Sequence, residues 1–309
     1  MPTLRSVDSA RTWRSNFLLI LVTAIWGFGF VAQRVGMDHI GVFTYNSLRF
    51  SIGCVALIAA VPLVRKFMPA APPAGWKATL GAGTAVGLLL FTGATLQTAG
   101  LAFTTAGKAG FITGFYVVLV PVLGLLLRQR THALTWAGGV LALGGLYLLS
   151  VTEDMRVNTG DLMVLASAFF WAAHIQAVGH FSRRVDPLVL SIGQYIAVTL
   201  LSTAAALLFE RNTLAEVGAA SIAILFGGLI VVGVSFTLQV IAQRDAHPGH
   251  AAVIMVSEAM WGVFAGWLML SEALTPRMLA GCGLMLAGML LSQAGPYFSK
   301  GPAAARLSP

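Results

Sequence analysis

Few side chains in this sequence are equipped for chemistry, and Glu258 is the most isolated of them. It sits near the middle of the run HPGHAAVIMVSEAMWGVFAGWLML (residues 247–270), long enough as a helix to cross about 30 Å of hydrocarbon. An ionised carboxylate at that depth costs from about 2.5 to more than 10 kcal/mol. Such a group is expected beside a cavity, a partner or a bound ion. There it can exchange a proton as its surroundings open and close, or hold a cationic group. A protonated carboxyl making one structural hydrogen bond is the competing reading.

Helical spacing adds further polar and aromatic residues that could face one internal pathway. Trp26, Phe30 and Gln33 fall at i, i+4 and i+7, and Trp171 and His174 lie one turn apart. Glu258 and Trp261 share a face, with His250 further along it. Lys108 lines up with Ile112, Phe115 and Tyr116, and Gln239 with Ser235 and Gln243. Gln97, Tyr195 and Arg49 complete the candidate cavity residues. Each has a plainer use. A membrane glutamine is as often interhelical glue worth about 1 kcal/mol, and Lys108 can snorkel to the outer surface rather than form an electropositive lip. Arg49 can pair structurally with a carbonyl or with Glu258, and His174 can be a hydrogen-bonded core residue. The tryptophans lie deeper than interface anchors do.

The elements that carry these residues are membrane helices. Of 309 residues 57% are hydrophobic and only 10% charged, against roughly a quarter charged in soluble domains. The charges punctuate long apolar runs, which predicts a polytopic all-α membrane protein. Ten transmembrane helices are expected, roughly 15–34, 41–64, 78–100, 103–127, 133–150, 160–181, 187–209, 220–243, 247–270 and 275–294. Arg5, Arg11 and Arg14 precede Phe17–Val31 as in a signal sequence, but the run is long and no cleavage site follows, so it reads as an uncleaved first span. Cys54 and Cys282 lie within apolar runs as packing residues. The net charge of +8 comes without interleaved aromatics, so topology rather than nucleic acid explains it. With the N-terminus cytoplasmic, thirteen Lys and Arg residues collect on that side, five on the other, and Arg49 lies within a span. Both termini are then cytoplasmic.

The chain also repeats itself. Residues 105–150 slide over 247–292 at a constant offset of 142, matching Gly107 with Gly249, Gly139 with Gly281 and Leu148-Leu149-Ser150 with Leu290-Leu291-Ser292. The acidic linker from Thr152 to Asp161 divides two five-helix repeats, 1–152 and 153–295, and a cytoplasmic tail (296–309) follows. An odd number of spans per repeat makes the repeats inverted. Inverted repeats form two bundles around a central cavity, and rocking one against the other exposes that cavity to each side in turn.

The stretches WGFGFVAQRVG (26–36), SLRF (47–50), LQTAGLAFTTAGKAGF (96–111) and LSEALTPRMLAGCGLMLAGMLL (270–291) resemble the EamA-type branch of the drug/metabolite transporter superfamily. Trp26, Arg49 and Phe50 match its first-half signature; Glu272, Thr275, Pro276 and Gly281 match the turn into its last helix. The resemblance implies ten helices, inverted repeats and movement of a small metabolite, such as an amino acid, frequently outward across a bacterial inner membrane. The partners expected are a small-molecule substrate, membrane lipid and, if Glu258 works as a carrier, protons. The protein is expected to act as a monomer without cofactor, metal or nucleic acid.

Other classes fit less well. Intramembrane hydrolysis needs paired aspartates, a Ser/His pair or HExxH to activate a nucleophile, and the sequence holds no aspartate pair within a span, no HExxH and no GxSxG. The acidic pair Glu153-Asp154 sits in an external loop. No Walker motif is present, so the expected driving force is a gradient. A facilitative channel or uniporter without ion coupling is the remaining alternative.

Overall fold

The computed structural model describes residues 4–68, 74–101, 103, 106–150, 158–270 and 273–298. Its helices are α1 (Leu4–Met37), α2 (Val42–Phe67), α3 (Trp76–Leu101), α4 (Ala106–Thr113), α5 (Tyr116–Leu126), α6 (Ala133–Ser150) and α7 (Thr159–Phe181). They continue with α8 (Pro187–Phe209), α9 (Leu214–Ala219), α10 (Ser221–Leu225), a π-helical stretch (Phe226–Phe236), α11 (Thr237–Gln243), α12 (Pro248–Met255), α13 (Glu258–Leu270) and α14 (Pro276–Phe298). No strand occurs among the described residues.

Nine helices among the described residues are long and apolar enough to cross a membrane. The expected fifth span differs: Ala133–Leu149 is apolar but shorter. As an 18-residue helix, α6 covers about 27 Å. The burial pattern combines an apolar interior with exposed large apolar side chains and buried amides. Ile222, Leu207 and Leu214 are more than 80% exposed, while Asn46, Gln194, Gln239 and Gln243 are fully buried. Of the exposed residues, Leu207 and Ile222 lie within candidate spans, where lipid would cover them.

Local chemistry sets the helix starts. Asn158 and Asp161 form a reciprocal capping box at α7, each side chain accepting the other's backbone N–H at 2.9 and 3.0 Å. Asp186 caps α8, with Pro187 fixing the first turn. The N-terminus of α2 is capped from a distance: Glu210, at the end of α8, accepts the N–H groups of Phe43 and Thr44 at 2.8 Å each and the Thr44 hydroxyl at 2.7 Å. Glycine at position 41 leaves room for the Glu210 carboxyl group, which a Cβ there would displace.

Two spans are broken. Between α4 and α5 the chain tightens into i→i−3 bonds (Val117 N to Gly114 O and Val118 N to Phe115 O, 3.0 Å each). Between α12 and α13 it does the same, with Ser257 N donating to Ile254 O at 3.1 Å and Met260 N to Ser257 O at 3.0 Å.

Packing runs mainly between the first and second halves of the chain. α6 lies against α14, α3 against α7 and α8, α2 against α8 and the π-helical stretch, and α1 against α13. The closest approach is α6 to α14, where Gly138 faces the Gly288 backbone and Gly145 faces the Gly281 backbone, leaving no room for a side chain. The two halves therefore interleave, and neither forms the separate bundle expected from the sequence.

Candidate functional site

The breaks between α4 and α5 and between α12 and α13 bring Tyr116 and Glu258, the first residues of α5 and α13, together in the interior. The Tyr116 hydroxyl donates to Glu258 Oε1 at 3.3 Å. Both line a cavity with about 560 Å³ of empty space, its open mouth included. Trp26, Gly29, Phe30 and Gln33 reach it from α1, Arg49 from α2 and Gln97 from α3. Thr113, Trp171, Ile175, Val231, Phe236 and Met255 complete its wall.

Its aromatic wall is continuous. The Trp26 and Phe236 rings are 5.0 Å apart, Trp171 stacks on Phe236 at 6.3 Å with an interplanar angle of 12°, and the two tryptophans are 6.5 Å apart. Phe236 also meets Phe50 at 6.0 Å, and the Arg49 guanidinium lies 5.0 Å from the Phe50 ring and 5.2 Å from the Tyr45 ring. Arg49 Nε donates to Asn46 Oδ1 at 3.0 Å. Among the described residues no carboxylate pairs with Arg49, so the Arg49–Glu258 ion pair considered from the sequence does not form. The indole nitrogens of Trp26 and Trp171 are buried without an acceptor. Two glutamines brace the wall: Gln33 Nε2 donates to Thr98 Oγ1 at 2.7 Å and Gln97 Nε2 to Thr113 Oγ1 at 3.1 Å.

Nine of the residues expected to share a pathway thus meet here: Trp26, Phe30, Gln33, Arg49, Gln97, Tyr116, Trp171 and Glu258 at the wall, and His174 directly behind it. His174 meets Trp171 edge-on at 5.9 Å and bonds Gln194 Oε1 through Nε2 at 3.0 Å. Three others lie elsewhere. Tyr195 is buried, bonded to Val232 O at 2.8 Å and Thr237 Oγ1 at 2.9 Å. Gln239 donates to Gln243 at 3.0 Å. Trp261 packs its Cβ against Gly27 and its ring edge-on to Phe264 at 6.3 Å. Lys108 falls in α4, but its side chain lies outside the described residues, as do Glu272 and the Glu153-Asp154 pair.

The sequence offered no sign of Val231 and Phe236. They are five apart, a spacing that puts residues on different faces of an α-helix. The i→i+5 bonding of the π-helical stretch stacks them on one face. Ile175 and Met255 were equally silent, as apolar residues within apolar runs.

The cavity occupies the half of the molecule holding the Met37, Val42 and Leu101 helix ends. The opposite half is tied across by hydrogen bonds, beside a second cavity lined by Ser15, Met68 and Ala242. There Ser15 Oγ donates to Ala242 O at 2.8 Å, Gln176 Nε2 to Val120 O at 2.7 Å and Gln243 Nε2 to Ile175 O at 3.1 Å. His250 bridges α1 and α14, with 3.0 Å contacts to Asn16 Oδ1 and Ser292 Oγ. Arg183 Nε and Nη2 donate to the carbonyls of Arg244 (3.1 Å) and Ala246 (3.0 Å), and Arg65 grips Asp186 through two bonds of 2.9 and 2.8 Å. His247 caps α12 by accepting Gly249 N–H at Nδ1 (3.2 Å). Burial first, and then the Arg183 guanidinium, hold its ring below the ordinary histidine value of 6.5.

Comparison with known proteins gives a consistent picture. The family model described as the EamA-like transporter family matches residues 13–151 and 158–293. A protein of Archaeoglobus fulgidus named an uncharacterized transporter is 32% identical over 278 residues, covering 88% of this chain and 83% of its own. A probable amino-acid metabolite efflux pump of Salmonella typhimurium is 25% identical, covering 91% of this chain and 95% of its own. A probable terminal-alkyne amino-acid exporter of Streptantibioticus cattleyicolor is 29% identical, with 90% and 93% covered. A solved crystal structure superposes with a TM-score of 0.75 at 20% identity, over 94% of this chain and 99% of the other, a likeness of fold.

Proposed function

The chain belongs to the EamA-like transporter family, and we propose that it is a secondary transporter exporting a small metabolite, an amino acid or a related compound, by alternating access. In this reading it crosses the bacterial inner membrane ten times, with α6 as the fifth crossing. It works as a monomer with both termini cytoplasmic. Residues 1–152 and 153–295 are inverted repeats, and residues 296–309 form the tail. Amino-acid export takes its support from the names of the Salmonella and Streptantibioticus relatives.

The observation that carries the repeat reading is the register of the broken spans. Shifted by 142, α4 (Ala106–Thr113) falls on α12 (Pro248–Met255), and the first residue of α5, Tyr116, falls on the first residue of α13, Glu258. These two repeat partners also touch each other. A residue can meet its own repeat partner only near the axis relating the two repeats, so the contact argues for a cavity on that axis. The neighbour relations support the same symmetry. α3 on α7 in one sense corresponds to the π-helical stretch and α11 on α1 in the other, and α1 on α13 corresponds to α7 on α4 and α5. The two stretches matched by the family model divide the chain at the same place.

Because the tied end, closed in this reading, gathers Arg65, Arg183 and Arg244, the positive-inside tendency makes it cytoplasmic and turns the cavity outward. Transport then requires that end to open while the other closes. Since the halves interleave, the moving bodies must each draw helices from both repeats. Glu258, at the axis, is the residue assigned to proton coupling.

Counterflow in proteoliposomes tests the proposal, with an amino-acid and metabolite panel and with or without a pH gradient. Saturable, counterflow-stimulated exchange is expected. Conductance without saturation would instead identify a channel, and exchange of nothing on the panel would count against amino-acid export. Glu258→Gln is expected to remove the response to the pH gradient; unchanged transport with an unchanged pH response would reject the coupling role.

A further inference from the structure

The cavity holds a guanidinium and a carboxyl group on separate walls, and no ion pair joins them. Arg49 stands on α2, which packs against α8 and the π-helical stretch; Glu258 stands on α13, which packs against α1. Arg49 is 6% exposed, and among the described residues its only hydrogen bond is from Nε to Asn46, leaving its two terminal nitrogens without a protein acceptor. Glu258 uses one oxygen to accept from Tyr116. Between these walls the Trp26 and Trp171 indole N–H groups have no acceptor either.

Buried polar groups in a folded protein are mostly satisfied, and of those left without a partner here the Trp26 and Trp171 indole N–H groups line this cavity. Three donors, the guanidinium fork and two indoles, suit a carboxylate, whose two oxygens offer about four lone-pair sites. The free oxygen of Glu258 suits an ammonium. A lone anion would leave Glu258 unanswered, and a lone cation would face Arg49; only a molecule carrying both charges complements both walls. The Phe236 ring, stacked on Trp171, supplies a flat apolar surface between them.

Resting on the transporter reading above, we propose that the cavity selects a zwitterion with an apolar side chain. Its carboxylate binds Arg49 and the indole N–H groups of Trp26 and Trp171, its ammonium binds Glu258, and its side chain lies against Phe236. Arg49 and Glu258 thereby determine specificity, each reading one end of the same molecule.

The test compares three ligands that share one ring: phenylalanine, phenylalaninamide without the carboxylate, and 3-phenylpropionate without the ammonium. Binding to the purified full chain is read from quenching of its tryptophan fluorescence, and counterflow is measured separately in proteoliposomes. On the unmodified protein phenylalanine should bind at least about tenfold more tightly than either analogue. Arg49→Gln should abolish the preference over the amide while keeping that over 3-phenylpropionate, and Glu258→Gln should do the reverse. Equal binding of all three ligands by the unmodified protein would overturn the inference without needing a variant to fold, as would binding of none. A uniform loss for all three in both variants would also overturn it. Discriminating binding without counterflow would sink the transporter reading and leave the site assignment standing. Counterflow of an uncharged or singly charged metabolite, with zwitterions excluded, would do the opposite.

Discussion

Replacing Asp186 separates two jobs that one carboxylate performs at the closed end. Its Oδ1 accepts the N–H groups of Leu188 (3.0 Å) and Val189 (3.3 Å), capping α8, while both oxygens accept from Arg65. Asparagine caps a helix about as well as aspartate, so Asp186→Asn keeps the cap and removes the charge. The Arg65 side chain is 24% exposed and that of Asp186 11%, between an exposed pair worth at most about 1 kcal/mol and a buried one whose breaking costs about 3–5 kcal/mol. The structure therefore predicts a loss of about 1–2 kcal/mol for Asp186→Asn. Asp186→Ala should add about 1 kcal/mol for the lost cap. A cycle with Arg65→Gln should return most of the Asp186→Asn loss as coupling. The assay is reversible unfolding of the purified protein by denaturant in detergent. Because α2 and α8 are also tied by Glu210 at the other end and by the 2.6 Å Ser47–Thr203 contact between, they should travel as one body. Counterflow per folded molecule should then be unchanged. Equal losses for Asn and Ala would refute the cap, zero coupling would refute the pair, and a slowed cycle in a fully folded Asn variant would refute the rigid α2–α8 unit.

Two further predictions concern the close packing and the closed end. Gly281→Leu should cost about 1–3 kcal/mol, because a Cβ there would lie 2.6 Å from Gly145 O and 3.0 Å from Leu149 N, both backbone atoms that cannot swing aside; unfolding measurements would show it, and an unchanged stability would contradict the tight α6–α14 contact. His247 accepts at Nδ1 in its uncharged form and its pKa is lowered in the fold, so its contribution is present above the ordinary value of 6.5 and lost as pH falls through the lower folded value. His247→Asn should keep the cap and flatten that part of the stability profile below about pH 6.5; an identical acid-side slope in both proteins would show that His247 does not carry it.

What the sequence made legible follows physical lines. Membrane helices announce themselves by composition, and Glu258 by being a lone acid in an apolar run. Trp26, Phe30 and Gln33 share a face of an unbroken helix, so 3.6-residue spacing found them together. The same arithmetic failed for Trp261, which lies one turn beyond Glu258 but packs on Gly27. It failed again around residues 226–236, where π-helical winding turns Val231 and Phe236 toward the cavity while Gln239 pairs with Gln243. The 142-residue offset was visible as matched glycines. That both stretches break at matching positions was not, since Gly114 and Val256 share no residue type and a tightened turn has no sequence signature here. Interleaving of the halves was hidden because apolar helices in lipid carry little record of which neighbour they face.

The account depends most on the closed end opening during transport, and one cross-link examines this. Asn16 on α1 and His250 on α12 touch across the two halves of the chain. With Cys54 and Cys282 replaced by alanine, cysteines at positions 16 and 250 can be joined by a short, reducible bifunctional thiol reagent, and counterflow measured before joining, after joining and after reduction. Exchange should fall to background when the cysteines are joined and recover when the link is reduced. Undiminished exchange through the cross-linked protein would mean that substrate passes without this end parting, and alternating access as described here would be wrong.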